Sequence, residues 1–377
     1  MSSPRRKKLM PENSAAVLSA PYGRLKVMAV PYTSPLAGEI VIRNRAVAIN
    51  PLDSVKQSTG NLMYGWLPYP SVLGEDVAGE VVEVGAGVTR FAVGDRVLGY
   101  AVGMEKKRNH RAEGGFQLYT VVSAALASPL PSAMDFTDGV VFPLAVSTAA
   151  TALFQADQLG LRHPGLGKGG VVIVWGGSTS VGSNAIQLAA AAGYVVVTTA
   201  SPRNHDALRR LGATHVLDRG SATVVADVTA AVGGRPVAGI FAVGTGSAHP
   251  ALAIAVATGS RRVSLASPSV ALETLPRRRA SVRFVSMMAQ LVAGTSSLMI
   301  RSRLRGIRTR FVWGSTLMSN EVGPMLWEQF LPAALAEGRY RVAPEPLVVG
   351  TGLESVQGAL DSLREGVSAR KLVVTLP

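Results

Sequence analysis

The stretch Val171-Val172-Ile173-Val174-Trp175-Gly176-Gly177-Ser178-Thr179-Ser180-Val181-Gly182 decides the fold. Five apolar residues in a row suit a strand buried on both faces, as in parallel sheets. Glycines follow at once, and an Ala-rich helical pattern covers 182–192. A glycine turn between a buried strand and a helix N-terminus suits a pyrophosphate. Small residues let the backbone approach, while free N–H groups and the helix dipole face the anion. Gly177, Ser178, Thr179, Ser180 and Val181 are therefore candidate cofactor contacts. The spacing departs from Gly-x-Gly-x-x-Gly, and a plain tight turn would use the same glycines. The weight comes from the surroundings.

Downstream, strand and helix patterns alternate. Strands are expected over 194–200, 215–217, 237–244 and 262–266, and helices over 205–211, 223–232 and 248–258. This alternation predicts a doubly wound parallel sheet, an α/β class. The end of the second strand reports the dinucleotide, because NAD sites place an acid there to hold the ribose 2′-hydroxyl. Here it reads Thr199-Ala200-Ser201-Pro202-Arg203-Asn204-His205, with no acid. Ser201 and Arg203 suit a 2′-phosphate, and Asp206 falls where the next helix begins. NADPH is favoured over NADH. The alternative for Arg203 is a surface charge at a helix start.

Upstream, from Ala15 to Ser123, short apolar–polar alternations are punctuated by Gly and Pro, the pattern of a β-barrel-like domain. Helical patterns follow around 135–145 and 147–159. Between 280 and 320 apolar strand candidates mix with an Arg-rich stretch. Helices near 321–337 and 353–364 and a strand over 371–376 close the chain. The expected organisation is a basic disordered tail (1–14), a first domain (15–145), the nucleotide domain (146–305) and a return to the first domain (306–377).

At 377 residues the chain is long enough for two domains. With 47% apolar and 16% charged residues, most of it should fold. There is no cysteine, which excludes disulfides, iron–sulfur clusters, Cys-ligated zinc and cysteine nucleophiles. The five histidines are scattered. The longest apolar run, 139–154, is broken by Pro143, Ser147, Thr148 and Thr151, and no apolar core follows the basic N-terminus. These features predict a cytoplasmic protein without a membrane span. The charge is 38 − 24 = +14, clustered at Arg5, Arg6, Lys7 and Lys8, at 106–111, at 277–279 and at Arg301, Arg303, Arg305, Arg308 and Arg310. Such a field favours an anionic ligand or partner: dinucleotide, coenzyme A, acidic carrier protein or nucleic acid. Solvated loops would carry the same charge.

Several motifs now fall into a known order. Asn50-Pro51-Leu52-Asp53, Leu73-Gly74-Glu75-Asp76-Val77-Ala78-Gly79-Glu80-Val81, Val84-Gly85-Ala86-Gly87-Val88 and Gly94-Asp95-Arg96-Val97 come first. Pro143-Leu144-Ala145 with Thr148-Ala149, then Val243-Gly244 and Lys371-Leu372-Val373-Val374, complete it. The series resembles the medium-chain dehydrogenase/reductase superfamily, with a GroES-like catalytic domain and a Rossmann domain. It is most similar to the zinc-free quinone oxidoreductase and enoyl reductase branch, and within it to the trans-acting enoyl reductases of fungal polyketide synthesis. Zinc-dependent members carry Gly-His-Glu where this chain has Gly74-Glu75-Asp76, and a four-cysteine lobe absent here.

The resemblance implies NADPH-dependent reduction of an activated carbon–carbon double bond without a metal, hydride reaching the β-carbon and a proton the α-carbon. It places Thr148 beside the nicotinamide, unless its hydroxyl only bonds its own helix. Asn50 either contacts ribose or substrate or caps a turn. Tyr64 either donates the proton or lines an apolar pocket with Met63 and Trp66. Related enzymes often carry Tyr or Lys five residues after the Asn. Here that position is Val55, and Lys56, one step later, is the candidate, although on an extended segment such a slip flips the side chain; Tyr64 or solvent is the alternative proton source. Val243, Gly244 and Leu265, near the ends of later strands, complete the implied cofactor contacts. Trp313-Gly314 either closes over the nicotinamide side or holds the returning strand. The implied partners are an acyl-thioester substrate, an acyl carrier protein or coenzyme A at the Arg-rich segment, and a second copy in a homodimer, a monomer being the alternative. A quinone oxidoreductase and a non-catalytic NADPH- or nucleic-acid-binding protein are the rival readings.

Overall fold

The computed structural model describes residues 11–167, 169–275 and 282–377. The basic runs at Arg5 to Lys8 and Arg277 to Arg279 lie outside the described residues. In chain order the first part holds β1 (Asn13–Leu18), β2 (Lys26–Val30), β3 (Glu39–Ala48), helix α1 (Pro51–Thr59), β4 (Ser71–Val72), β5 (Asp76–Val84), β6 (Arg96–Tyr100), β7 (Tyr119–Ser123) and β8 (Ala127–Pro129). Asn13 and Ser14, assigned from sequence to the tail 1–14, belong to β1 and pair with Val30 and Ala29.

Helix α2 (Phe136–Gly139) and helix α3 (Pro143–Phe154) lead to the second domain. Taken together, Phe136–Phe154 has the length and apolarity of a membrane span, longer than the run read from sequence. Yet 83% of it is buried inside the fold. Here α3 packs on the first helix of the nucleotide domain and on the turn Gly314–Ser319, which makes it a core element.

The second domain alternates β9 (Val171–Trp175), α4 (Ser180–Ala191), β10 (Val195–Ala200), α5 (His205–Arg210), β11 (His215–Asp218), α6 (Val224–Val232), β12 (Val237–Ala242), α7 (Ala248–Thr258), β13 (Arg262–Leu265), α8 (Val282–Leu304) and β14 (Arg308–Phe311). The sheet order is β11-β10-β9-β12-β13-β14, all parallel. Counted from β9 this is 3-2-1-4-5-6, the doubly wound order with its switch point between β9 and β12. Every residue of β9 is buried.

Two expectations fail here. Where apolar strand candidates were expected, the strand β14 follows a single 23-residue helix, α8 (Val282–Leu304). Its inner positions Phe284, Met287, Leu291 and Leu298 keep helical spacing and meet the core. Val282, Val285, Val292, Ile300 and Leu304 are exposed on the same helix, so apolar residues on both faces erased the period. Secondly, β14 pairs with β13, so the nucleotide sheet runs past the expected boundary at 305.

The chain returns through α9 (Val322–Pro324), a π-helical turn (Met325–Phe330), α10 (Leu331–Ala336), β15 (Glu345–Thr351), α11 (Ser355–Glu365) and β16 (Arg370–Thr375). The first domain's main sheet runs β15-β16-β3-β5-β6-β8, with β7 also on β3. At Gly79 the backbone of β3 leaves no room for a side chain: a Cβ there would lie 2.0 Å from the Arg43 carbonyl oxygen. Strand β16 lies antiparallel to β3, and Ile49 N donates to Leu372 O at 2.9 Å. The last strand thereby carries Lys371 to the start of α1.

Candidate active site

The cleft opens at the carboxyl ends of β9 and β12, the place the sheet order dictates. It is a cavity of about 900 Å³ between the two domains. At its floor the glycine turn brings chain and helix close together. Gly176 has φ +82°, and a Cβ there would lie 2.4 Å from the Val243 carbonyl oxygen; at Gly182 one would lie 2.2 Å from Gly176 O. Thr179 caps α4, its Oγ1 accepting from Gly182 N at 3.0 Å. Ser180 and Val181 open the helix, where backbone N–H groups lack intrahelical acceptors.

Ser178, Thr179, Ser180 and Val181 line the cleft, as do Ser201, Arg203, Val243 and Gly244. Arg203 Nη2 donates to Ser368 Oγ at 2.8 Å. Arg219, just after β11, reaches the same wall. It was missed, although it follows a strand end as Ser201 does. Two expected contacts stand behind the wall. Gly177 packs on β10, where a Cβ would meet Thr198 Oγ1 at 2.2 Å. Leu265 belongs to the core beneath the sheet; the lining passes to Ala266 and Ser267, whose Oγ accepts from Gly244 N at 2.9 Å. A nicotinamide dinucleotide fits these features: a tight glycine turn, free donors at the start of α4 and an acid-free corner with two arginines.

Asn50, Val55, Met63, Tyr100, Glu105 and Thr148 line the other end, with Trp313 and Gly314. Gly314 lies on α3: Thr151 Oγ1 donates to its carbonyl at 3.1 Å, and a Cβ would lie 2.5 Å from Thr148 Oγ1. Trp313 Nε1 donates to Glu105 Oε1 at 2.8 Å. The Trp313-Gly314 segment thus both walls the cleft and packs on α3.

Asn50 caps a helix and also lines the cleft. It is the N-cap of α1, with Asp53 Oδ2 accepting from its backbone N at 2.7 Å, and it faces the cleft. Its Nδ2 donates to Asp76 Oδ2 at 2.9 Å, and Lys371 Nζ donates to its Oδ1. Lys371 and Asp76 form a buried ion pair at 2.8 Å, and Asp76 Oδ1 accepts from Leu144 N at 2.6 Å near the start of α3. Burial, then the charge of Asp76, pushes the Asp53 carboxyl up to about 7.

Lys56 and Tyr64 are absent from the cleft wall. The segment after Asn50 is helical rather than extended, so a one-residue step turns a side chain by about 100°. Val55 faces the cleft and Lys56 turns away. Its buried Nζ donates to Asn61 Oδ1 and Tyr64 O, both at 2.9 Å, and lies over the Tyr69 ring. Burial lowers its ammonium to about 8. Tyr64 has φ +54° and is 1% exposed, its ring packed at 5.3 Å from Trp66 and 5.8 Å from Trp313. Sequence could not show a ring shut behind Trp313.

Residues 36–132 match the alcohol dehydrogenase GroES-like domain, and residues 180–300 match the zinc-binding dehydrogenase domain. Dehydrogenase pigH from Monascus ruber is 45% identical over 373 residues, covering 97% of this chain and 100% of pigH. The chain belongs to the medium-chain dehydrogenase/reductase superfamily. It is an oxidoreductase of that superfamily, whose members work with a nicotinamide dinucleotide. The superfamily also accounts for the GroES-like and Rossmann pair of domains. The trans-enoyl reductase himH from Aspergillus japonicus is 36% identical over 346 residues, 90% of each chain. The quinone oxidoreductase from Coxiella burnetii shares the fold, with a TM-score of 0.66 at 22% identity over 97% of this chain and 100% of that one. Among the described residues, no group of three His, Asp or Glu is placed to hold a metal ion.

Proposed function

We propose that this chain reduces the carbon–carbon double bond of an enoyl thioester with NADPH and without a metal. One observation carries the reading: a single cleft joins an acid-free corner bearing Ser201, Arg203 and Arg219 to a chamber walled by Val55, Met63, Leu272 and Trp313. The corner suits a 2′-phosphate and the chamber an acyl chain. Relatives named trans-enoyl reductases support the reaction class. The lack of any cysteine in the sequence supports a route without bound zinc.

When bound, NADPH supplies the hydride. Ser180 and Val181, opening α4, hold the pyrophosphate, and Arg203 and Arg219 the 2′-phosphate. Thr148 and Asn50 orient the reacting end. Val55, Met63 and Trp313 keep water from it. Arg301, Arg303, Arg305, Arg308 and Arg310 are exposed and, among the described residues, in no ion pair. We place the docking of a polyanionic acyl carrier there.

The test is NADPH oxidation, with chelator present, against enoyl thioesters, small enones and quinones, with NADH as control. Thioester turnover preferring NADPH is expected, unchanged by chelator. Turnover of quinones alone, or loss with chelator, overturns the reading. Arg203→Gln should raise the NADPH Kd at least tenfold, since a hydrogen bond to a charged group contributes about 1.5–3 kcal/mol, and leave NADH binding nearly unchanged. Neutralising Arg303, Arg305 and Arg308 should raise KM for carrier-bound substrates alone; an equal effect on small enones refutes the docking.

A further inference from the structure

Helix α8 belongs to the cleft wall on one side and meets solvent on the other. Leu291 lines the cleft, and Phe284 and Met287 pack against the core. A Cβ on Gly294 would lie 2.9 Å from Ser269 Oγ, next to the lining residues Ser267 and Pro268. At about 100° per residue these four positions share one face. On the opposite side Val285, Ala289, Val292, Ser296 and Met299 recur at alternating steps of four and three, the spacing of a helix-packing seam, and all are exposed. Val285 and Val292 are 63% and 62% exposed, and Ile300 and Leu304, at 60% and 80%, prolong the seam. An apolar seam of this length left in water marks an interaction surface. Its surroundings carry one sign of charge. From Val282 to Asn320 the sequence has six arginines and no Asp or Glu. On β14, which packs beside α8, Arg308, Arg310 and Phe311 are exposed, and Phe311 also lines the cleft. The cationic, apolar surface thus runs from α8 to the cleft mouth.

We propose that the outer face of α8 receives an acidic amphipathic helix of the protein that carries the acyl thioester. The assignment rests on the enoyl-reduction reading and adds to the arginine docking the apolar seam that those arginines flank. Charge decides the occupant. Two copies of α8 crossing antiparallel at Val292 would set Arg283 of one against Arg301 of the other. Parallel copies would align Arg301, Arg303 and Arg305 with themselves. With no acid on the segment, neither pairing offsets the repulsion. An incoming helix with a Leu or Val seam fills the notches at Ala289 and Ser296, between the larger Val285, Val292 and Met299. Glu and Asp on its flanks meet the arginines at the end of α8 and on β14. The position also suits a tethered substrate. The helix that holds the carrier outside supplies Leu291 to the cleft inside, and the thioester arm enters past Phe311. An anionic membrane would meet the same charges, but it offers no such tether.

The probe is a labelled synthetic helix of about 20 residues, matching the seam at about 1.5 Å per residue, with Leu at steps of three and four and Glu on both flanks. Fluorescence anisotropy with the full chain should show saturable binding that weakens as salt rises. Val285→Asp/Val292→Asp should weaken it about tenfold or more. Val93→Asp, at a 68% exposed residue of the first domain, should leave it unchanged. The same peptide with Lys in place of Glu should not bind. With an enoyl group on an acyl carrier protein, the α8 double variant should raise KM about tenfold or more and keep kcat within about twofold. With the same enoyl group on free pantetheine KM should stay within about twofold, as should the NADPH Kd, which shows that the variant folds. No binding of the acidic peptide to wild type, or equal KM effects on both substrates, overturns the proposal. Binding to phosphatidylserine vesicles that the double variant loses, with no peptide binding, overturns it in favour of a membrane. A wild-type dimer that the variant dissociates in sedimentation overturns it in favour of a second copy. If wild type reduces no thioester, the functional reading fails instead, and the peptide titration still decides whether α8 receives an acidic helix.

Discussion

Replacing Lys371 by Met tests whether the last strand holds the active-site floor. The ammonium lies 2.8 Å from Asp76 Oδ2, and the two side chains are 4% and 0% exposed, so water screens little of their attraction. Lys→Met keeps most of the side-chain length and apolar stem while deleting the charge. The Asp76 carboxylate would then keep only neutral donors, Asn50 Nδ2 at 2.9 Å and Leu144 N at 2.6 Å. Breaking a buried pair from one side costs about 3–5 kcal/mol. Two surviving hydrogen bonds put the expected loss near the lower end, about 3 kcal/mol. Lys371→Met/Asp76→Asn removes both charges and should recover at least about 2 kcal/mol of it, since the penalty belongs to the orphaned charge. Urea unfolding of the four proteins of the cycle measures this. Lys371→Met within about 1 kcal/mol of wild type, or a double variant less stable than Lys371→Met, would refute the reasoning.

Gly182→Ala sets a Cβ 2.2 Å from Gly176 O, so the helix must back away from the turn. Dinucleotide affinity should fall at least tenfold, with about 1–3 kcal/mol of stability lost. Gly358→Ala, on α11 with nothing within 4 Å, is the control and should gain about 0.5–1 kcal/mol; similar dinucleotide affinity in both variants would contradict the close-approach account. For Asp53 the folded pKa, about 7, lies above the unfolded value, so the folded state holds the proton more tightly. Stability from this group is greatest below the unfolded pKa and declines as pH rises from about 4 to about 7. Asp53→Asn should lose about 1–3 kcal/mol of that decline, read as a smaller drop in Tm between about pH 5 and about pH 8. An equal drop in both proteins would remove Asp53 as its source.

Much of the fold follows from local pattern. An unbroken apolar run such as Val171–Trp175 is stable only between two covered faces, and glycines at its end serve a helix that must come close. The missing acid after β10 was equally local, because the 2′-position of the ribose is read by the residues at that strand end. Helix α8 was illegible because Val285, Val292 and Ile300 sit on its outer side among the polar residues, which blurs the period. Lys56 and Tyr64 were misplaced because rotation about α1 and a left-handed turn at Tyr64 set their directions, and neither leaves a spacing signal.

The sequence by itself determined the parallel sheet, the phosphate turn and the basic corner, all properties of contiguous residues with fixed local geometry. Only the tertiary structure decided the polar floor. Asn50, Asp53, Glu75, Glu105 and Lys371 come from distant segments and meet because β16 inserts between β15 and β3 beside α1. Which of those carboxyl groups keeps a charge depends on which one the single ammonium and the few donors reach, and that is set by packing, not by spacing.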